Sequence, residues 1–298
     1  MSYASATEPL RAANLLAGRS LYEIRPLAMV SGGVQASSGA VIPCEGLAEA
    51  QAEKRFHTIF VCAGGQPKDW RQTGLRAALR RIGRAGIRLG GISGGPYLLA
   101  AAGLLDGRDF TIHWEHASAL IEAFPQLTPR QARFVLDGNR ITCGGGVAPL
   151  DMMHALIAER LGADFARRVS DWYLHTAVAE PTAPQRASAA QRYGVHNPVL
   201  LTMLEKMETS IEQPLGRAAM AGLAGISERH LDRLFSEQLG QGFLATYRGI
   251  RLQHARRLLQ QSPLAIGEIA YATGFSSAGH FSRAYKALFG KLPKQERR

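Results

Sequence analysis

The spacing of apolar residues changes character once along this chain, near residue 198. From about residue 20 to 150, short apolar runs alternate with stretches in which apolar residues recur at helical spacing. The runs predict strands over Glu23–Val30, His57–Cys62, Ile87–Ile92, Phe110–His113, Arg133–Leu136 and Arg140–Thr142. Helices are predicted over Thr7–Leu16, Ala48–Glu53, Trp70–Ala85, Pro96–Ala102 and Ala117–Phe124, and again over Leu150–Leu161 and Ala163–His175. Strands separated by helices imply an α/β layered domain with a mainly parallel sheet. Residues 178–197 carry two prolines among small polar residues, the profile of a linker. Helical periodicity returns at Pro198 and runs to Phe289, so the second half is expected to be all helical. The expected organisation is an α/β domain over 1–184, a linker over 185–197 and a helical domain over 198–298.

The helical half contains a repeat. LAGISERHLDRLFSEQLG at 223–240 aligns with ATGFSSAGHFSRAYKALFG at 272–290, each with a Gly-apolar-Ser turn (Gly225-Ile226-Ser227 and Gly274-Phe275-Ser276). Leu231, Arg233, Phe235 and Gly240 match Phe281, Arg283, Tyr285 and Gly290. A short helix, a glycine turn and an amphipathic second helix is the form of a helix-turn-helix, which sets its second helix in the DNA major groove. Ser227 is expected to cap the first reading helix, and Ser276 or Ser277 the second. Leu231, Leu234, Phe235, Phe281 and Tyr285 are expected in the core. The residues left for DNA are Glu228, Arg229, Arg233, Ser277, Ala278, Ser282, Arg283 and Lys286. At least two of Arg229, Arg233, Arg283 and Lys286 are expected to touch DNA rather than form a merely solvated basic face, since arginine can pair with guanine or phosphate through two parallel bonds. His230 and His280 stay open between packing, capping and base contact.

Charge agrees. The net formal charge is +11, and roughly +6 of it falls in residues 199–298. Such an excess favours a polyanion, since neutralising phosphates releases counterions. The three cysteines, Cys44, Cys62 and Cys143, are widely spaced and form no zinc or disulfide pattern, which fits a reducing cytoplasm. No metal or cofactor is expected. No apolar run reaches the roughly 18 residues of a membrane span, and the N-terminal sequence has no secretory pattern.

GFSSAGHFSRAYKALFGKLP closely resembles the signature of the AraC/XylS transcription regulators, and residues 199–293 resemble their double helix-turn-helix domain. The likeness extends to the connecting RLQHARRLL helix, the IGEIAYATGF lead-in and the closing FG-x-x-P. It implies a single monomer placing two reading helices in successive major grooves, with a homodimer and RNA polymerase as further partners. KQERR after Pro293 departs from the pattern, so a short last helix is expected.

In the first half, Gly90–Pro96 (GGISGGP) ends one β-run and opens a helix, the form of a nucleophile elbow, with Ser93 in the nucleophile's seat. His113 could act as its base. Cys62-Ala63-Gly64-Gly65 follows another strand, where backbone N–H groups can face a ligand. These features, with TEPLRAAN, AGLLDGR, IHWEH and ITCGGGVAPLDMM, resemble the class-I glutamine-amidotransferase-like fold of the PfpI/ThiJ kind. Fused to an AraC-type half, they resemble the GlxA group of regulators. Hydrolases of that fold use cysteine at the elbow; serine needs a paired base and an orienting group, so the elbow is read as vestigial. A hydrolase or amidase using Ser93 and His113 is the alternative. The retained pocket is expected to bind an effector through Glu8, Gly65, Ser93, Gly94, His113, Trp114 and Glu115. The resemblance implies an amino-acid-like or quaternary-amine effector, since members respond to arginine, carnitine or glycine betaine. An acidic residue beside an indole suits such a cation. Glu8 is expected at a helix N-terminus. The resemblance also implies an apolar strand ahead of MSYASATEP, so the reading frame is expected to extend upstream. Leu150–His175 is a candidate for either subunit contact or core.

Overall fold

The computed structural model describes residues 1–53, 56–70 and 73–297, and the chain divides into two units, Met1–Gln185 and Arg186–Arg298. Helix α1 (Ser2–Ala17) opens the first unit, starting well before the predicted Thr7. It stops at Gly18, whose left-handed φ of 63° lets its N–H return to Leu15 O. Glu8 therefore lies inside a helix, not at an N-terminus. The predicted strand at 23–30 shrinks to β1 (Leu27–Ala28), which runs parallel to β3 (Val41–Gly46), while β2 (Gly32–Gln35) pairs antiparallel on the other side of β3. Helix α2 (Leu47–Glu53) follows.

A second sheet holds β4 (Thr58–Ala63), β5 (Arg88–Ser93), β6 (Phe134–Asp137) and β7 (Arg140–Cys143), in the order β4-β5-β7-β6. The first two pairings are parallel, with Ala63 opposite Ser93 and Ile92 opposite Cys143; β6 runs antiparallel to β7. The sheets are thus mixed rather than mainly parallel throughout. Between these strands lie α3 (Leu75–Arg84), α4 (Gly95–Ala101) and α5 (Trp114–Ala123), followed by α6 (Ala148–Leu161) and α7 (Ala163–Trp172). The helix predicted over Trp70–Ala85 is two elements: a 3-10 turn, Pro67–Trp70, precedes α3, and residues 71 and 72 lie outside the described residues.

Phe110–His113 is not a strand. The Thr111 N–H donates to the Thr142 hydroxyl at 2.9 Å, and the Thr111 hydroxyl lies 2.8 Å from both Arg130 O and Ala132 O. With side chains taking these bonds, the segment runs past the end of β5, where His113 N–H meets Ser93 O at 3.2 Å.

Apolar residues cover both faces of the four-stranded sheet, as parallel pairing requires. Leu79, Ile82, Leu89, Leu99, Phe110 and Leu120 form one cluster; Ile92, Phe134, Ile141, Met152 and Met153 form the other. Each fully buried Leu or Phe contributes about 1.5–3 kcal/mol. Ile157, Ala166 and Val169 of α6 and α7 pack on Ala12 and Ala13 of α1. Part of the apolar face considered for subunit contact is thus used inside the unit, while Trp172 and Leu174 stay exposed.

The second unit begins within the stretch expected to be a linker. Helix α8 (Ala189–Tyr193) stands there, closed by a capping box between Ser188 and Gln191. Tyr193 and Arg192 bond to Glu208, each at 2.8 Å. The remaining helices are α9 (Pro198–Thr209), α10 (Arg217–Leu223), α11 (Glu228–Leu239), α12 (Phe243–Gln261), α13 (Ile266–Ala272), α14 (Ala278–Phe289) and the four-residue α15 (Pro293–Glu296). Two cores form. Leu204, Met220, Leu231, Phe235 and Tyr247 make the first; Leu258, Ile269, Phe275, Phe281 and Tyr285 make the second. Helix α12 supplies side chains to both, and so joins two helix-turn-helix modules into one unit.

Candidate functional site

In the first unit the C-terminal ends of β4, β5 and β7 meet, the edge at which ligands bind in open α/β sheets. Ser93 ends β5 with φ 61°, a left-handed backbone that serine rarely adopts. Gly145 explains part of its confinement: a Cβ there would lie 2.6 Å from Ser93 Cβ, so only glycine lets the β7 turn press on the elbow. Gly94 serves likewise on the other side, where a Cβ would come 2.2 Å from the Trp70 ring. Trp70 is buried, donates from Nε1 to Gly64 O at 2.6 Å, and meets Tyr97 and His116 edge-on. Sequence reasoning used Trp70 only as a helix start. The available signal was its place just after the Gly64-Gly65 turn.

His113 is the N-cap of α5; its Nδ1 accepts from Glu115 N–H at 3.3 Å. Glu115 Oε2 lies 3.9 Å from the same nitrogen. Burial, partly offset by Glu115, holds the His113 imidazole below its ordinary value, so it is neutral at pH 7. Among the described residues no hydrogen bond joins the Ser93 hydroxyl to the His113 ring. The neighbouring thiol of Cys143 is buried, which pushes it up to about 12 and leaves no thiolate to act instead. Trp114 N–H donates to Gln185 Oε1 at 2.9 Å, while Gln185 Nε2 lies within hydrogen-bond distance of Thr111 Oγ1, Ile112 O and Ala132 O.

The structure thus gathers Ser93, Gly94, His113, Trp114 and Glu115 around one turn, with Gly65 (φ 77°) in the loop that Trp70 holds. Glu8 is not tied to them. It is exposed and pairs with Arg11 at 2.7 Å, whose guanidinium lies over Trp172 of α7. From α1, Ser2 reaches the site, its hydroxyl accepting from Gly146 N–H at 2.9 Å.

In the second unit both reading helices carry serine N-caps. Ser227 accepts from His230 N–H and Ser277 from His280 N–H, each at 3.2 Å. The Ser277 oxygen is therefore engaged in helix formation. Both helices end at left-handed glycines, Gly240 and Gly290. Arg229, Arg233, Arg283 and Lys286 are exposed; Ala278 and Ser282 are half-buried. The two helices differ in charge. On α11, Arg217 of α10 binds Glu228 at 2.8 Å and Asp232 at 2.9 Å, and Arg233 lies 4.0 Å from Glu237. On α14, Arg283 and Lys286 have no acidic neighbour within their own helix. Arg217 was missed in the sequence because its partners lie across a turn, 11 and 15 residues away.

Comparison with known proteins bears on both units. Residues 5–159 match the DJ-1/PfpI family, and residues 220–298 match the helix-turn-helix domain family. A DJ-1/PfpI-type α/β domain joined to tandem helix-turn-helix modules defines a DNA-binding transcription regulator. The HTH-type transcriptional regulator GlxA of Rhizobium meliloti is 70% identical over 299 residues, covering all of this chain and 92% of that protein. The regulator CdhR of Pseudomonas aeruginosa is 39% identical over 297 residues, covering all of this chain and 88% of its own. An AraC family transcriptional regulator from Pseudomonas putida superposes with a TM-score of 0.53 at 26% identity, over 58% of this chain and 91% of that one. The chain belongs to the AraC family of HTH-type transcriptional regulators and is GlxA-like. These relatives are regulators, not enzymes, which sets the hydrolase alternative aside. Among the described residues no helix is long and apolar enough to cross a membrane.

Proposed function

We propose that the Ser93 elbow and the residues gathered around it form the receptor for a small nitrogenous metabolite, an amino acid or a quaternary amine, whose binding changes promoter recognition by the helical unit. The observation that carries this reading is the Ser93 elbow, kept in left-handed backbone although its hydroxyl is not bonded to the neutral His113 ring. Strain of this kind persists where the surrounding structure over-determines it, as in ligand clamps. Glu115, half-exposed beside Trp114, supplies the negative charge and indole that a cationic amine calls for. The lining we assign is Gly65, Ser93, Gly94, His113, Trp114 and Glu115; Glu8, paired with Arg11, is left out of it. For DNA we assign Arg229, Arg233, Ala278, Ser282, Arg283 and Lys286, with Glu228 and Ser277 at the edges of the surface. We take 1–184 as the sensing part, 185–197 as the connection and 198–298 as the reading part.

Gln185 offers a physical route between the two functions. Its amide holds the first turn of α5, where Trp114 and Glu115 lie, and the next residue begins the second unit. A ligand that shifts α5 would shift the point from which the helical unit departs, and would bias its states in proportion to its differential affinity. The protein then acts as a cytoplasmic, homodimeric activator contacting RNA polymerase.

The test is calorimetric titration of the full chain with amino acids and methylated amines. One of them should bind saturably, and Ser93→Ala and Glu115→Gln should weaken it by about tenfold or more, the scale of a lost charge-assisted bond. Binding of every compound with unchanged affinity in both variants would remove the pocket from consideration.

A further inference from the structure

At the opposite end of the four-stranded sheet from the elbow, a recess of about 340 Å³ opens between the C-terminal ends of α3 and α4 and the first residue of β7. Three guanidinium groups line it: Arg80, Arg84 and Arg140. Arg80 is anchored through Nε on Ala102 O at 2.9 Å, and Arg140 through two nitrogens, Nε on Leu104 O at 3.0 Å and Nη1 on Asn139 O at 3.1 Å. The Nε bonds cap carbonyls left over where α4 ends, and that accounts for the two Nε atoms. Among the described residues, Arg140 Nη2, the terminal nitrogens of Arg80 and the whole Arg84 group have no hydrogen-bond partner. Among the described residues no carboxylate lies within ion-pair distance of Arg80, Arg84 or Arg140. Arg140 is only 7% exposed, and its Nη2 lies 3.5 Å from where a Cβ on Gly83 would stand. Burial, with Arg108 close by, lowers the affinity of Arg140 for its proton, although Asp137 acts the other way. A buried guanidinium with no ion pair of its own, set beside two further arginines, is costly, and an anion with several acceptors relieves that cost. Arg140 is already held in place by its two bonds, so it needs little ordering on binding.

We propose that this recess is a second ligand site, for a small oxyanion of the phosphate type, either free phosphate or the phosphate group of a small metabolite. Guanidinium forks match such oxygens in geometry as well as charge. A DNA backbone fits the recess less well. It could lie along the exposed Arg76, Arg80 and Arg84, which repeat every four residues on α3, but would leave the buried Arg140 unused. The site is independent of the elbow pocket.

Full-length protein should be titrated by calorimetry, at constant ionic strength, with inorganic phosphate, pyrophosphate and glycerol phosphate. Saturable binding is expected. If glycerol phosphate is preferred over the bare anions, the source is a metabolite; the reverse order assigns free phosphate. Arg84→Glu and Arg80→Gln change exposed side chains, so circular dichroism should report an unaltered fold for at least one of them. Either variant should bind about tenfold more weakly or worse, since a charge-assisted bond is removed, with operator affinity unchanged. No saturable binding of any of the three probes, or equal affinity in the wild type and both variants, overturns the proposal. So does a loss of affinity for DNA of any sequence while phosphate binding stays intact, which would assign the basic face to nucleic acid.

Discussion

Left-handed backbone at Ser93 costs about 1 kcal/mol or more for a residue with a Cβ, and its neighbours show what keeps it there. Gly145 and the Gly94–Trp70 contact leave the elbow no room to relax. The glycines were visible in GGISGGP and CGGG, but the tryptophan that fills the gap was not, because its partner atoms come from a separate loop. Charge at the reading helices shows the same limit. Arginines on an outward helical face are legible from period alone. That Arg217 neutralises Glu228 and Asp232 is not, since the contact crosses a turn. Arg283 is exposed and has no acidic neighbour within α14, so it is the best single residue with which to examine the DNA surface. Arg283→Ala should weaken specific binding by about 1–3 kcal/mol; a relaxed preference at one base pair would mark a base contact, and a reduced salt slope a phosphate contact. An electrophoretic mobility titration at several salt concentrations measures both, and unchanged affinity would refute the assignment.

At the level of elements, the repeat in the helical half read correctly because each of its parts is local. A glycine turn, a serine cap and a left-handed glycine stop act within a few residues of where they stand, and Gly225, Ser227, Gly240, Gly274, Ser277 and Gly290 all do so. Strands depend on distant partners and fared worse. β2 is exposed along its whole length and begins with two glycines; β3 alternates in exposure, but Val41 and Ile42 stand side by side and Pro43 follows, so its hydropathy does not show that alternation. Phe110–His113 carries that alternation and yet joins no ladder. The last helix is short, as KQERR suggested, but what anchors it was not legible. Glu296 is buried and accepts from Arg256, Gln260, Tyr285 and Lys291. Burial alone would raise its carboxyl, but the hydrogen bonds outweigh that and hold it at about 2. Because this value lies below the ordinary glutamate range of about 4.3, the stabilisation is present above that range and is lost as pH falls through it toward about 2. Glu296→Gln should therefore cost about 3 kcal/mol at neutral pH and flatten the acid limb of thermal stability. Melting curves of the full chain across the acid range provide the check, and an unchanged acid limb in the variant would contradict it.

For the whole molecule, two units with separate cores fit two tasks, sensing and reading. Under the proposed function, tandem modules joined by α12 would let one polypeptide read two sites, where a single helix-turn-helix needs a partner subunit to do so. Footprinting of the full-length protein on genomic fragments, with and without amino acids and methylated amines, tests the central claim most directly. The account predicts a discrete protected stretch spanning two successive major grooves on one face of the DNA, about one helical turn apart, whose occupancy changes when one of those compounds is added. Protection of no fragment under any condition, or uniform protection of all of them, would contradict it.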